Sequence, residues 1–125
     1  MPREKDDPKA DAAWLLDMLT AAKAASLFVA GRTFDQYIAD LMLRSAVERQ
    51  VKIIGEAARS ISDAFKSAHP EIPWRAIMAQ RHRPVHEYGE IDDALIWSVA
   101  AIHVKKLIDQ IEPLLPPPPA EPSGS

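Results

Sequence analysis

DLMLRSAVERQVKIIGEAARSISDAFKSAHP, residues 40–70, is the longest run of the chain in which apolar residues recur at helical spacing. The apolar positions of this run are Leu41, Leu43, Ala46, Val47, Ile53, Ile54, Ala57, Ala58, Ile61 and Phe65. Positions three or four apart lie on one face of a helix. We therefore predict a long amphipathic helix that ends before Pro70, because the residue before a proline disfavours helical geometry.

The residues before this run predict two further helical segments. Residues 11–30 have the same spacing, in Trp14, Leu15, Met18, Leu19 and Ala22, and so predict an amphipathic helix. Gly31 can adopt the left-handed conformation that stops a helix. Thr33 and Gln36 have the spacing of a capping box, so a second helical run should start there and pause near Asp40.

The residues after Pro70 predict two more helices. Pro73 suits the first turn of a short helix through Trp74, Ile77 and Met78. Asp92 or Asp93 can cap a last helix that Pro113 closes, with apolar positions Ile96, Val99, Ile102, Val104, Leu107 and Ile111. No alternating stretch rich in valine, isoleucine and threonine is present, so we expect an all-α fold without a sheet.

Length and composition indicate one domain. The 125 residues are 47% hydrophobic, which is enough for a core without disulfides. We predict a flexible N-terminus (residues 1–10), one helical domain (residues 11–114) and a disordered proline-rich tail (residues 115–125). The N-terminus does not resemble a signal peptide, and no segment approaches the roughly 20 apolar residues of a membrane span. We therefore expect a soluble, cytoplasmic protein that does not bind a membrane.

Several classes of site are excluded or disfavoured. The chain has no cysteine, which excludes thiolate nucleophiles and cysteine-ligated metals. Its glycines are scattered and its histidines lack zinc-protease spacing, so we expect no nucleotide-phosphate loop, no cofactor and no metal site. With a net charge of −3, any binding to a polyanion must come from a local basic patch.

One such patch is the stretch QRHRPVHEYGEID, residues 80–92. Pro84 lacks an amide proton and clashes with the carbonyl four residues earlier, so this stretch cannot be an undisturbed helix interior. A break there would allow the side chains of Arg81 and His86 to converge.

These residue types suit the cleavage of RNA without a metal. The Arg81 guanidinium matches the oxygens of a phosphodiester, and His82 and Arg83 can add supporting phosphate contacts. Histidine is the residue type whose unperturbed pKa lies near neutrality, so His86 can remove the proton of a 2′-hydroxyl that then attacks the adjacent phosphorus. Spacing alone also fits a plain solvated turn, since an arginine followed five residues later by a histidine is a weak signal.

The motif resembles that of a known family. RHRPVHEY is similar to the Arg-x4-His-x-Tyr motif of the HepT-like toxins, which belong to the HEPN ribonuclease superfamily. The segments AVERQVKIIGEAARSIS, IPWRAI and YGEID resemble the family's long helix, the approach to its motif and the start of its last helix. The resemblance runs from about Trp14 to Leu114.

The resemblance implies a homodimeric up-and-down bundle of four to five helices, with the two motifs facing one cleft. It implies Arg81 and His86 as catalytic residues. It also implies that a cognate minimal nucleotidyltransferase antitoxin silences the toxin by AMPylation of Tyr88.

We therefore expect an endoribonuclease toxin that acts on RNA, with the long and last helices contributing to its dimer contact. The alternative is a catalytically inactive helical dimer that binds a protein or a nucleotide.

Overall fold

The structure is a computed structural model that describes residues 8–81 and 93–116. Within these ranges it contains α1 (Pro8–Val29), α2 (Phe34–Ala39), α3 (Leu41–Ser60), α4 (Asp63–Ala68), α5 (Trp74–Arg81), α6 (Asp93–Ser98) and α7 (Val104–Ile111). A π-helical turn (Val99–His103) joins α6 to α7, and a 3-10 turn (Glu112–Leu114) follows α7. We call the continuous run from α6 to α7 the last helix. No strand occurs in the described ranges, so the predicted all-α class is confirmed.

The turn between α1 and α2 follows the sequence prediction closely. Gly31 has a φ of 73°, the left-handed conformation expected of the residue that stops α1. The amide of Arg32 donates to the carbonyl oxygen of Val29 at 2.9 Å and closes the turn. At its other end α1 begins at Pro8, three residues before the predicted start.

Side-chain caps fix both ends of α2. The hydroxyl of Thr33 accepts from the amide of Gln36 at 3.1 Å, and the Gln36 side chain accepts from the amide of Thr33 at 2.9 Å. This is the predicted capping box. Asp40 ends α2 and starts α3, where its carboxylate accepts from the amide of Leu43 at 3.0 Å. The pause predicted near Asp40 is therefore a change of helix.

The prediction of one uninterrupted helix up to Pro70 was wrong. α3 ends at Ser60, Ile61 is extended, and a separate helix, α4, starts after Ser62. Asp11 of α1 accepts hydrogen bonds from the amide and the hydroxyl of Ser62, at 2.8 and 2.6 Å. This buried contact holds the chain in an extended conformation between α3 and α4.

The core lies between α1, α3 and the last helix. α1 packs against α3 and α7, and α3 also packs against α5. The largest fully buried side chains come from α1, α2, α3, α7 and the loops on either side of α4: Tyr37, Leu15, Met18, Ile61, Ile72, Ile111, Val47 and Val104. Because the start of α1 contacts Ser62 just beyond α3, these two helices run antiparallel. The last helix starts near Arg44 of α3 and ends near Glu71, so it runs parallel to α3.

The apolar composition of α1 is consistent with its packing against both α3 and α7. Contrary to the sequence expectation, residues Lys9–Val29 are long and apolar enough to cross a membrane by length and composition, with a mean hydropathy of 1.4. A core helix of a soluble bundle passes the same test, and α1 packs on two other helices.

The π-helical turn explains one difference between the last helix and the sequence prediction. Val99 and Val104 are five residues apart, yet both are buried, because one π turn accommodates the additional residue. Ile102, which the regular pattern placed in the core, is consequently 63% exposed.

Candidate functional site

The predicted site residues lie where two helices meet the segment that joins them. Arg81 is the last residue of α5, and α6 begins at Asp93. His82, Arg83, His86 and Tyr88 lie outside the described residues. The structure therefore shows how the two flanks of the motif are held. The prediction that residues around Pro84 do not lie in a helix interior falls on residues outside the described ranges.

The first flank, α5, is fixed by buried apolar residues. Ile72, Trp74 and Ile77 are buried in the core, against which α3 also packs. The indole Nε1 of Trp74 donates to the carbonyl oxygen of His69 at 2.9 Å, which ties the start of α5 to the end of α4. Because α5 is short, this anchoring determines where its last residue, Arg81, lies on the bundle.

The second flank, α6, is fixed by aromatic packing. The ring of Trp97 lies 6.0 Å from that of Phe34 and 5.3 Å from that of Tyr37, measured between centroids. Aromatic pairs at these distances stabilise packing beyond the area that they bury. α6 also packs against α3. Both ends of the segment 82–92 are thus attached to helices that pack on α3.

A half-buried cluster of four polar side chains, which we call the polar pocket, lies beside the start of α6. It consists of Tyr37 from α2, Arg44 and Glu48 from α3, and Asp93 from α6. The Nη1 atom of Arg44 lies 4.0 Å from Oδ2 of Asp93, and both side chains are less than one-third exposed, at 29% and 26%. This ion pair connects α3 to the first residue after the motif segment.

Burial first, and then the excess of acidic over cationic groups among the four described residues of the polar pocket, affects the protonation of Tyr37 and Glu48. Burial raises the pKa of Glu48 above its ordinary value, the nearby Asp93 raises it further, and Arg44 opposes the rise. Burial also raises the pKa of the Tyr37 phenol, with the negative charges of Asp93 and Glu48 adding to the effect. The phenol is therefore neutral, and Glu48 takes up a proton more readily than a solvated glutamate.

Sequence reasoning did not identify this pocket. Arg44 and Glu48 have the spacing of an intrahelical ion pair, which is a local signal but a common one. Tyr37 and Asp93 come from two other helices, so no spacing along the chain links them to α3. Among the described residues, no group of three or more histidine or acidic side chains could hold a metal ion.

Most of the chain is similar to known proteins. The family model described as "Ribonuclease HepT-like" matches residues 18–114, an interval that includes α5, the motif and the last helix. "Probable ribonuclease HepT" of Thermococcus cleftensis is 32% identical over 101 residues, which is 81% of this chain and 92% of the relative. "Putative RNase MJ1380" of Methanocaldococcus jannaschii is 33% identical over 100 residues, 80% of this chain and 92% of the relative. No solved structure matches the chain.

The matched interval begins within α1 and ends at the 3-10 turn, so it covers nearly the entire described bundle. Relatives above 30% identity cover most of this chain and most of their own length. The chain therefore belongs to the HepT-like ribonuclease family.

Proposed function

We propose that this chain is a metal-independent endoribonuclease and the toxin of a toxin–antitoxin pair. One observation carries the proposal. The family match spans both the motif and the helices that hold its two ends, and those helices pack on α3. Arg81 is the last residue of α5, whose start is anchored in the core.

The reaction follows from the residue types of the motif. His86 removes the proton of a ribose 2′-hydroxyl, whose oxygen attacks the adjacent phosphorus. The bond from phosphorus to the 5′ oxygen breaks, that oxygen takes a proton from water, and His86 returns the proton that it removed to water. The products are a 2′,3′-cyclic phosphate and a 5′-hydroxyl end. Arg81 stabilises the negative charge that develops on the phosphoryl oxygens, and His82 and Arg83 add phosphate contacts.

Two copies of the chain serve this function better than one. The net charge is −3, so a single basic cluster would attract RNA only weakly. A homodimer that brings two motifs to one cleft would add their fields where the RNA backbone passes.

Tyr88 is the residue at which an antitoxin would inactivate the ribonuclease. A nucleotidyltransferase antitoxin would transfer AMP to its hydroxyl, with release of pyrophosphate from ATP. The added phosphate would place negative charge and bulk beside Arg81 and His86, where the RNA phosphate must lie.

The test compares His86→Ala and Arg81→Ala with matched controls in an RNA cleavage assay. Each substitution should lower the cleavage rate by roughly 100-fold or more, because it removes the base or the phosphate contact. His103→Ala and Arg75→Ala should retain full activity, because these exposed residues, on the last helix and near the start of α5, are not part of the motif.

Wild-type cleavage should persist in EDTA and give 2′,3′-cyclic phosphate ends. Loss of cleavage in EDTA, or full cleavage by His86→Ala, would contradict the mechanism. A wild-type chain that binds RNA or a partner without cleaving RNA would instead indicate the inactive binding module.

A further inference from the structure

A cavity of about 320 Å³ lies in the side of the bundle, between α5 and the last helix. It exists because α5 packs mainly on α3 while α7 packs mainly on α1, which leaves space between α5 and α7. We call it the side cavity. Pro73, Ala76 and Lys106 line it and are exposed, so it opens to solvent. Pockets for small molecules begin at about 300 Å³, so the side cavity has room for a flat ring.

The inner walls of the side cavity are aliphatic. They are formed by buried side chains of α3, α5 and the last helix, namely Ile54, Ile77, Val99, Val104 and Leu107. The π-helical turn is the reason that both valines contribute, because it accommodates the five-residue spacing between them. Such turns are frequent at functional sites. Apolar walls of this kind suit the two faces of a nucleobase.

Two polar side chains add specificity to the side cavity. The Nε2 atom of Gln110, which lines the cavity, donates to the carbonyl oxygen of Glu71 at 2.8 Å. This bond orients the amide and leaves its oxygen to accept from the edge of a ring. Lys106 adds a cation, and no residue that lines the cavity is acidic. A flat ring with polar edges, attached to a phosphate, fits these groups.

The side cavity lies close to the motif segment. The two helices on either side of it, α5 and the last helix, are joined by residues 82–92. Ile77 lies four residues before Arg81, and Val99 lies six residues after Asp93, which is about 6 and 9 Å along the two helices. A nucleotide next to the scissile phosphate can therefore reach the cavity along the surface of the bundle.

We propose that the side cavity binds one base of the RNA substrate, next to the cut site, and so determines which sequences are cleaved. Its aliphatic walls enclose the faces of the base, Gln110 contacts the edge, and Lys106 contacts the phosphate of the same nucleotide. In taking RNA as the ligand, this inference rests on the proposed function. It adds a base preference, which the motif does not supply, because contacts to phosphate carry no sequence information.

The charges along the last helix support RNA as the occupant. Lys105 and Lys106 are exposed beside the side cavity, whereas Asp109 and Glu112 are exposed towards the far end of the helix. A polyanion is therefore attracted to the level of the cavity and repelled beyond it. Proteins read RNA sequence chiefly from single strands, whose bases can leave the stack and enter a pocket. The motif and the side cavity together suit a short single-stranded segment.

The first test fills the side cavity and measures the binding of RNA. Ala76→Leu replaces a methyl group at the mouth by an isobutyl group and keeps a good helix former. Ala79→Leu is the matched control, because Ala79 is exposed on the same helix, closer to Arg81, and does not line the cavity. Fluorescence anisotropy measures the affinity for four short unstructured RNAs, each enriched in a different base, in a His86→Ala background that prevents cutting.

The background chain should bind one of the four RNAs about 10-fold or more tightly than the weakest, because base stacking and edge contacts discriminate to this degree. Ala76→Leu should reduce the difference to within about two-fold, since the added carbons exclude the base. Ala79→Leu should retain it. Equal binding of all four RNAs by the background chain, or an unchanged preference in Ala76→Leu, would overturn the proposal.

The second test separates the phosphate contact from the base contact. Lys106→Gln should weaken the binding of all four RNAs by a similar factor and lower the salt dependence by about one released ion. Lys105→Gln should have a smaller effect, because this neighbouring lysine does not line the side cavity. Full affinity and full salt dependence in Lys106→Gln would contradict the phosphate contact.

A third measurement distinguishes RNA from a free nucleotide as the ligand. The nucleoside monophosphate of the preferred base should compete with RNA for the background chain and not for Ala76→Leu. A monophosphate that binds the background chain without displacing any RNA would assign the side cavity to a free nucleotide and overturn the proposal.

These readouts do not depend on catalysis. A wild-type chain that binds RNA with a base preference sensitive to Ala76→Leu, but never cleaves RNA, would support this inference and contradict the proposed function. A chain that cleaves RNA through His86 without any base preference would do the reverse.

Discussion

Arg81, His86 and Tyr88 divide the proposed chemistry between a permanent cation, an imidazole that can take and give a proton, and a hydroxyl. Only the first of the three belongs to a described helix, as the last residue of α5. The structure adds four residues that the motif does not contain. They are the residues of the polar pocket, which includes Asp93. Its ion pair joins α3 to the start of α6, so it helps to fix the far end of the motif segment.

Tyr88→Phe should separate cutting from silencing. The substitution keeps the ring and removes the hydroxyl that would accept AMP, so cleavage should remain within about two-fold of wild type while AMP transfer is lost. Incubation with a cognate nucleotidyltransferase and radiolabelled ATP, followed by a cleavage assay, measures both. Tyr37→Phe is the matched control, because that tyrosine is fully buried. The Tyr37→Phe variant should still be labelled with AMP. Continued labelling of Tyr88→Phe would exclude Tyr88 as the acceptor.

At the scale of elements, the contact between Asp11 and Ser62 determines where α3 ends. The carboxylate of Asp11 is 7% exposed and accepts two hydrogen bonds from Ser62, 51 residues away. It therefore joins the start of α1 to the junction of α3 and α4. The hydroxyl of Ser62 also caps α4 by accepting from the amide of Phe65 at 3.1 Å.

Asp11→Ala should destabilise the bundle by about 2–3 kcal/mol, because it leaves the amide and hydroxyl of Ser62 buried without their acceptor. Urea denaturation of the purified chain would measure the loss. Asp11→Asn keeps one acceptor oxygen and should cost less. Asp35→Ala, an exposed change in the first turn of α2, should stay within about 0.5 kcal/mol of wild type. Equal stability of Asp11→Ala and wild type would show that the contact contributes nothing.

At the scale of the whole molecule, an acidic chain must concentrate its positive charge to hold RNA. The proposed dimer would do this by bringing two motifs to one cleft. Catalysis and association should therefore be coupled, although they depend on different residues.

The cleavage rate per chain should fall when the protein is diluted through the dissociation of the dimer. Cleavage rates over a dilution series, compared with the mass measured at each concentration, test this coupling. The control is the chain cross-linked chemically at a concentration where its mass is that of two chains, and its rate per chain should stay constant on dilution. A wild-type rate per chain that stays constant while the mass falls to that of one chain would contradict the coupling.

The sequence alone determined the features that depend on nearby residues. The all-α class, the left-handed stop at Gly31, the capping box at Thr33 and the helix change at Asp40 each follow from interactions within about four positions. The motif from Arg81 to Tyr88 could be named for the same reason, since its residues are contiguous and their types specify a chemistry.

The tertiary structure decided what depends on residues far apart in the chain. Ser62 interrupts the predicted long helix because Asp11, on another helix, accepts its hydrogen bonds. Ile102 is exposed because packing on α1 favours a π turn that buries both Val99 and Val104. The polar pocket draws its four residues from three helices. Helical periodicity specifies one face of one element, whereas contacts between elements are selected by the packing of the whole bundle.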